Sequence, residues 1–204
     1  SPPNYNPKPD DSIEAMAKEK GVTAAELAYE ILIENDGNNF IYAPLVNYAD
    51  HTFGVCKKML DDKNAIMGLG DGGAHVGFIL DAGYPTWLIS YWSVKKKAYS
   101  MEETVRRLTS DTANAARLND RGLLKVGLKA DINIIDWENV GSSDPFMTQD
   151  LPAGGKRLMQ HTQGYVSTIV SGKVTYKNGE FTKERPGTVV KSVKDDEKTL
   201  EFTN

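Results

Sequence analysis

Asp120-Arg-Gly-Leu-Leu-Lys-Val-Gly-Leu-Lys-Ala-Asp-Ile-Asn-Ile-Ile-Asp136 is the stretch that decides the fold. Its end, Asp131 to Asp136, alternates polar and apolar residues as a half-buried strand does. Before it, Ser100 to Arg117 reads as a helix: Ser100-Met-Glu-Glu103 has the letters of a capping box, and Val105, Leu108, Thr112, Ala113 and Ala116 recur at helical spacing. The pattern therefore changes near Asn119, from helices to strands. Downstream, Tyr165–Val170, Lys173–Tyr176 and Glu180–Phe181 read as short strands. Ser171-Gly172 and Asn178-Gly179 separate them, which predicts an antiparallel meander. Residues 139–164, rich in Gly, Ser, Pro and Asp, are expected to form the connection, and the charged tail from Lys191 to be loosely held.

Upstream, a helix is expected from Asp11 or Ser12 to a stop at Gly21, and a second from the capping box Thr23-Ala-Ala-Glu26. Asp36-Gly-Asn-Asn39 predicts a turn. Phe40–Ala43 and Ala65–Leu69 read as short buried strands, with a helix over Phe53, Cys56, Met59 and Leu60 between them. Strand, helix, strand, helix at these spacings predicts parallel β/α units. Residues 74–99 carry Trp87, Trp92 and tyrosines among Gly77, Gly83 and Pro85, and predict a packed loop with short helical turns.

Composition bounds what such a chain does. It has 204 residues, 40% hydrophobic and 25% charged, with 24 basic against 28 acidic side chains and a net charge of −4. That is a globular composition with no basic field for nucleic acid. No apolar run is long enough to cross a bilayer, so no membrane partner is expected. The single cysteine, Cys56, rules out an intrachain disulfide and suits a reducing, cytoplasmic compartment. The opening Ser-Pro-Pro-Asn-Tyr-Asn-Pro-Lys-Pro has no signal-peptide pattern, and leads us to expect a segment of a longer chain or a processed one.

Two chemistries compete at Gly68-Leu-Gly-Asp-Gly-Gly73. The letters fit a dinucleotide-binding loop, but residues 82–101 lack the acidic residue that a ribose needs, and Asp71 would face the phosphates with like charge. The alternative starts from Asp71, a carboxylate just past the end of a buried strand and framed by glycines. Barrel enzymes keep catalytic groups there, as metal ligands or proton carriers. Asp beside Gly also serves turns and caps, and position alone leaves the two even.

Three segments resemble the D-aminoacylase (N-acyl-D-amino-acid deacylase) group of the amidohydrolase superfamily: Ile66-Met-Gly-Leu-Gly-Asp71-Gly-Gly-Ala-His75, Val105 to Arg117, and Asp120 to Asp136. The resemblance implies the C-terminal part of a TIM-type (β/α)8 barrel over residues 1–119, followed by strands of a small β-sandwich over 120–204. It further implies metal-dependent, usually zinc, hydrolysis of an amide. Asp71 matches the strand-eight Asp that passes a proton to the leaving amine, and is a possible metal ligand. His75, four residues on, is a candidate substrate contact. The superfamily's other ligands have no counterpart here. His51 and His161 read as structural, Cys56 as a buried thiol and Lys95–Lys97 as a solvated turn, while Trp87, Tyr91 and Trp92 favour packing over lining a pocket. The expected partners are an acyl-amino-acid substrate and either the upstream part of the same enzyme or a second copy. A cyclic-amide hydrolase, hydantoinase-like, and a non-catalytic fragment inactive alone are the other readings.

Overall fold

A computed structural model describes residues 4–68 and 73–192. The chain falls into two compact units, one formed by residues up to Ala65 with Asp144–Met159, the other by Ile66–Ser143 and the residues from Gln160 onward.

In the first unit, helix α1 spans Ile13–Lys20. Ser12 caps it by accepting the Ala15 amide at 3.2 Å, and Gly21 ends it in the left-handed region at φ 71°. Helix α2 (Ala24–Gly37) opens on the expected box: Thr23 Oγ1 accepts from Glu26 N, and Glu26 accepts from Thr23 N. Its helical geometry fails at Glu34, and Asn35 and Asp36 turn left-handed, so the break precedes Gly37. Helix α3 covers Gly54–Asp61. The buried apolar residues of this unit are Ala17, Leu27 and Tyr48, whose hydroxyl donates within 2.8 Å of Asn6 and Pro7 oxygens.

The strand expected at Phe40–Ala43 does not form, and neither does the described part, 65–68, of the one expected at Ala65–Leu69. A buried strand needs neighbours to take its amides and cover its faces. Phe40, Ile41, Tyr42 and Ile66 stay between 38% and 56% exposed instead. The closed barrel is accordingly not formed by the described residues, which combine helices with antiparallel strands, in keeping with α/β composition.

The second unit opens with a turn at Gly73–Phe78, a short 3-10 segment at Asp81–Gly83, helix α4 (Tyr84–Trp87) and a π-helix at Leu88–Lys95. Leu88, Ile89, Tyr91, Trp92, Tyr99, Ala113 and Val140 form its core. Helix α5 covers Met101–Leu108, with Ser100 accepting the Glu103 amide; the reciprocal half of the expected box is not made. The helix also does not run unbroken to Arg117. Thr109, at φ −124° and ψ −86°, divides α5 from α6 (Ser110–Ala115).

The strands are all antiparallel: β1 (Ile132–Ile135), β2 (Gly141–Ser142), β3 (Phe146–Leu151), β4 (Gly155–Met159), β5 (Thr162–Gln163), β6 (Tyr165–Val170), β7 (Lys173–Lys177) and β8 (Glu180–Phe181). One sheet runs β1-β6-β7-β8, and β2 pairs with β5. Ser171-Gly172 and Asn178-Gly179 make the hairpin turns with positive φ at both residues, as a right-twisted two-residue hairpin requires. Residues 139–164 are more ordered than their composition predicts. They hold β2 to β5, and β3 and β4 pair as a hairpin in the first unit.

Candidate functional site

Asp71, the residue with the strongest sequence case, lies outside the described residues, as do Gly70 and Gly72. The described chain resumes at Gly73, whose φ of 103° only glycine adopts readily; no atom lies within 4 Å of where its Cβ would stand. The need there is conformational, not spatial.

His75 follows in the left-handed region at φ 49°, an uncommon state for a side-chain-bearing residue. Its carbonyl accepts two amides, from Phe78 and Ile79, each at 3.0 Å, which closes the turn. The imidazole is exposed and sits 5.2 Å from the Phe78 ring at 36°. The loop is thus shaped by its own backbone bonds and presents two aromatic rings to solvent.

The segment from Tyr84 to Tyr99 anchors the chain on the far side of this loop. Pro85 lies in the first turn of α4, where a missing amide costs nothing. Thr86, 4% exposed, shares a hydrogen bond of 3.0 Å with the Tyr165 hydroxyl on β6, so α4 is tied to the sheet. Trp87 stacks on Tyr91 at 4.4 Å and 9°, and Tyr91 meets Trp92 edge-on. Lys95 and Lys96 extend over the Tyr91 ring. Tyr91 and Trp92 are buried and order the segment as packing, while Trp87 is half-buried. Arg107 lies over Tyr99 at 4.4 Å and is paired with Glu103.

The other histidines have local partners of their own. His51 is exposed, left-handed at φ 54°, and its amide donates to the Tyr48 carbonyl. His161 and Ser143 exchange backbone and side-chain bonds beside β2 and β5. Cys56 is half-buried, not the fully buried thiol expected, with its sulfur 3.7 Å from the Asn47 carbonyl, and burial raises its thiol pKa. Among the described residues no three His, Cys, Asp or Glu side chains come together to hold a metal ion. Zinc takes about three protein ligands in a catalytic site, so the described residues do not fit it.

A second polar cluster lies where the helices meet the sheet. Arg121 pairs with Asp120 and with Asp131, both at 2.8 Å, and Asp131 also accepts the Ser171 amide. The hydrogen bond from Arg121 holds the Asp120 carboxyl below its ordinary pKa. The sequence marks this motif as the helix-to-strand junction and as a segment of the family resemblance, with no sign of this ion-pair cluster. The pairing of Asp131 with a residue 40 positions away has no local signal. Among the described residues no helix is long and apolar enough to cross a membrane.

The model of the Amidohydrolase family matches residues 7–176. No curated protein matches the chain, and no solved structure does.

Proposed function

We propose that this chain, which belongs to the amidohydrolase family, is the Asp-bearing part of an enzyme that hydrolyses the amide of N-acyl-D-amino acids. Membership in the family supports a hydrolase acting on carbon–nitrogen bonds; the acyl-D-amino-acid substrate is our reading. The observation that carries it is the family match over a span that contains the Gly68–Gly73 loop and the Asp120–Asp136 junction together.

In this reading Asp71 accepts a proton from the water that attacks the carbonyl. It returns that proton to the amine nitrogen as the C–N bond breaks, leaving a carboxylate and a free amino acid. General acid–base help of this kind is worth roughly 10²–10⁴ in rate. His75, held by its turn beside an exposed face, contacts the substrate. Metal dependence belongs to the proposal as the resemblance implies it, with zinc held by residues beyond those described, and nothing in the proton path above is assigned to it.

The proposal keeps the two-part organisation, barrel units over 1–119 and sandwich strands over 120–204. It assigns the exposed face of α2, with Tyr29, Leu32 and Ile33 spaced i, i+3, i+4 and 43–66% exposed, to contact with the upstream part of the same enzyme. A helix apolar on both faces is one that is covered on both.

The test is a substrate panel on the full-length enzyme: N-acyl-D-amino acids, their L-enantiomers and a hydantoin. We expect release of free amino acid from the D-series. Ring opening of the hydantoin with the D-series untouched would favour the cyclic-amide alternative, and inertness toward all three would leave a non-catalytic role.

A further inference from the structure

Asn178-Gly179 is the single Asn-Gly step of the sequence, and it forms the turn between β7 and β8. Both residues are exposed, with φ of 50° and 83°. The described residues give the Asn178 carboxamide no hydrogen-bond partner, whereas those of Asn38, Asn39 and Asn139 donate to Asn35, Ile31 and Asp136. Among the described residues the Gly179 amide has no acceptor either, and nothing lies within 4 Å of where its Cβ would stand. An unpaired carboxamide carbon thus neighbours an unshielded backbone nitrogen.

The turn that exposes this pair also keeps it from reacting. In the left-handed region ψ is about +30° to +60°, which swings the Gly179 nitrogen away from the Asn178 side chain. Ring closure requires rotation about the Asn178 Cα–C bond, and so requires β8 to leave β7. Strand β8 is two residues long and lies at the edge of the sheet. It is held by pairing with Tyr176 and Lys177, by the Tyr176–Phe181 ring contact at 5.4 Å and by Arg185 over the Phe181 ring at 5.5 Å. Just beyond it the Thr182 amide donates to Thr175 O. Tyr176 and Phe181 remain 46% and 41% exposed. Such an edge opens locally at a fraction of the global cost.

We propose that Asn178 is a site of spontaneous deamidation gated by Phe181, independent of the amide-hydrolase reading. In the open hairpin the Gly179 nitrogen bonds to Asn178 Cγ. The Cγ–N bond of the carboxamide breaks, and its nitrogen leaves as ammonia with the Gly179 amide proton. Water then opens the succinimide at either carbonyl, giving aspartate or isoaspartate. Both products place a new carboxylate between Lys177 and Glu180. Isoaspartate also routes the main chain through Cβ, so the two-residue turn no longer closes in register and β8 is released.

The experiment incubates the full-length protein at mildly alkaline pH, wild type beside Phe181→Ala and Arg185→Gln, and follows each asparagine by peptide mass mapping. We expect conversion of Asn178 to both acids, with Asn38, Asn39 and Asn139 intact. Phe181→Ala should speed it roughly two- to twelvefold, the factor by which an aromatic pair favours the closed state, and Arg185→Gln should speed it less. An Asn178 that stays intact while the urea-unfolded protein converts it would overturn the site. Equal rates in wild type and both variants, or acceleration shared by all four asparagines, would overturn the gate.

Discussion

The carboxylate of Asp131 accepts the backbone amide of Ser171 at 2.8 Å, across 40 positions of sequence. Its other oxygen takes Arg121 Nη1 at the same distance. One side chain thus fixes the entry to β1 against both the end of the helical segment and the β6–β7 turn. Asp131→Ala removes both bonds from a carboxylate that is 28% exposed. We expect a loss of about 1–2 kcal/mol in denaturant unfolding, in the range for a charge-assisted hydrogen bond. Asp131→Asn keeps an acceptor for Ser171 and should lose less. Unfolding curves for Asp131→Ala that overlay the wild type would show the contact to be idle.

Gly122 and Gly127 recur in the same motif and have nearly the same φ, 91° and 92°, but different surroundings. A Cβ on Gly122 would meet the Ala113 Cβ at 2.8 Å and the Thr109 carbonyl at 3.2 Å, while one on Gly127 meets nothing within 4 Å. Gly127→Ala therefore carries backbone strain alone, about 1 kcal/mol. Gly122→Ala adds a collision with α6 and should cost at least about 1 kcal/mol more, as overpacking does. Equal losses for the two substitutions would show that packing against α6 is not what the first glycine serves.

Thr86 and Tyr165 join α4 to the sheet by a hydroxyl pair with Thr86 almost wholly buried. Thr86→Val and Tyr165→Phe should each destabilise by about 1 kcal/mol. The double variant should cost less than the sum, because the second change releases the hydroxyl stranded by the first. Strict additivity in a double-mutant cycle would mean that the two groups do not act on each other.

Several exposed carboxylates sit below their ordinary pKa: Asp120 through its hydrogen bond to Arg121, Asp150 through Arg157, and Glu26 through the Thr23 backbone amide. A depressed folded-state pKa adds stability that is fully present above the unfolded value. That stability is lost as pH falls through the folded one. Stability is therefore expected to hold at neutral pH and to decline once pH drops below the ordinary carboxylate range near 4. Being exposed, these pairs are screened, so the decline is shallow and weaker in high salt. Asp120→Asn with Asp150→Asn should flatten the acid limb. An unaltered acid limb in that double variant would count against the assignment.

The helices and the closing meander were legible in the sequence because their signals are local. Ser12, Thr23 and Ser100 each accept an amide three residues on, and Asn178-Gly179 turns as its letters demand. The runs at 40–43 and 65–68 misled for the opposite reason. Apolar content names a strand only when something pairs with it, and pairing is not written in the run itself. The hairpin of β3 and β4 was hidden by a composition of loop residues, and is held partly by the Asp150–Arg157 fork seven residues apart. Of the candidate site, Asp71 rests on its glycine frame and the family resemblance, and it lies outside the described residues.

If Asp71 moves the proton in amide hydrolysis, the enzyme carrying Asp71→Asn loses turnover, and its kcat is the measurement to make. Asparagine keeps the shape and cannot accept the proton. We expect kcat to fall by roughly 10²–10⁴ with little change in melting temperature. An Asp71→Asn enzyme that keeps more than roughly a tenth of wild-type turnover, well short of the loss of a general base, would contradict it.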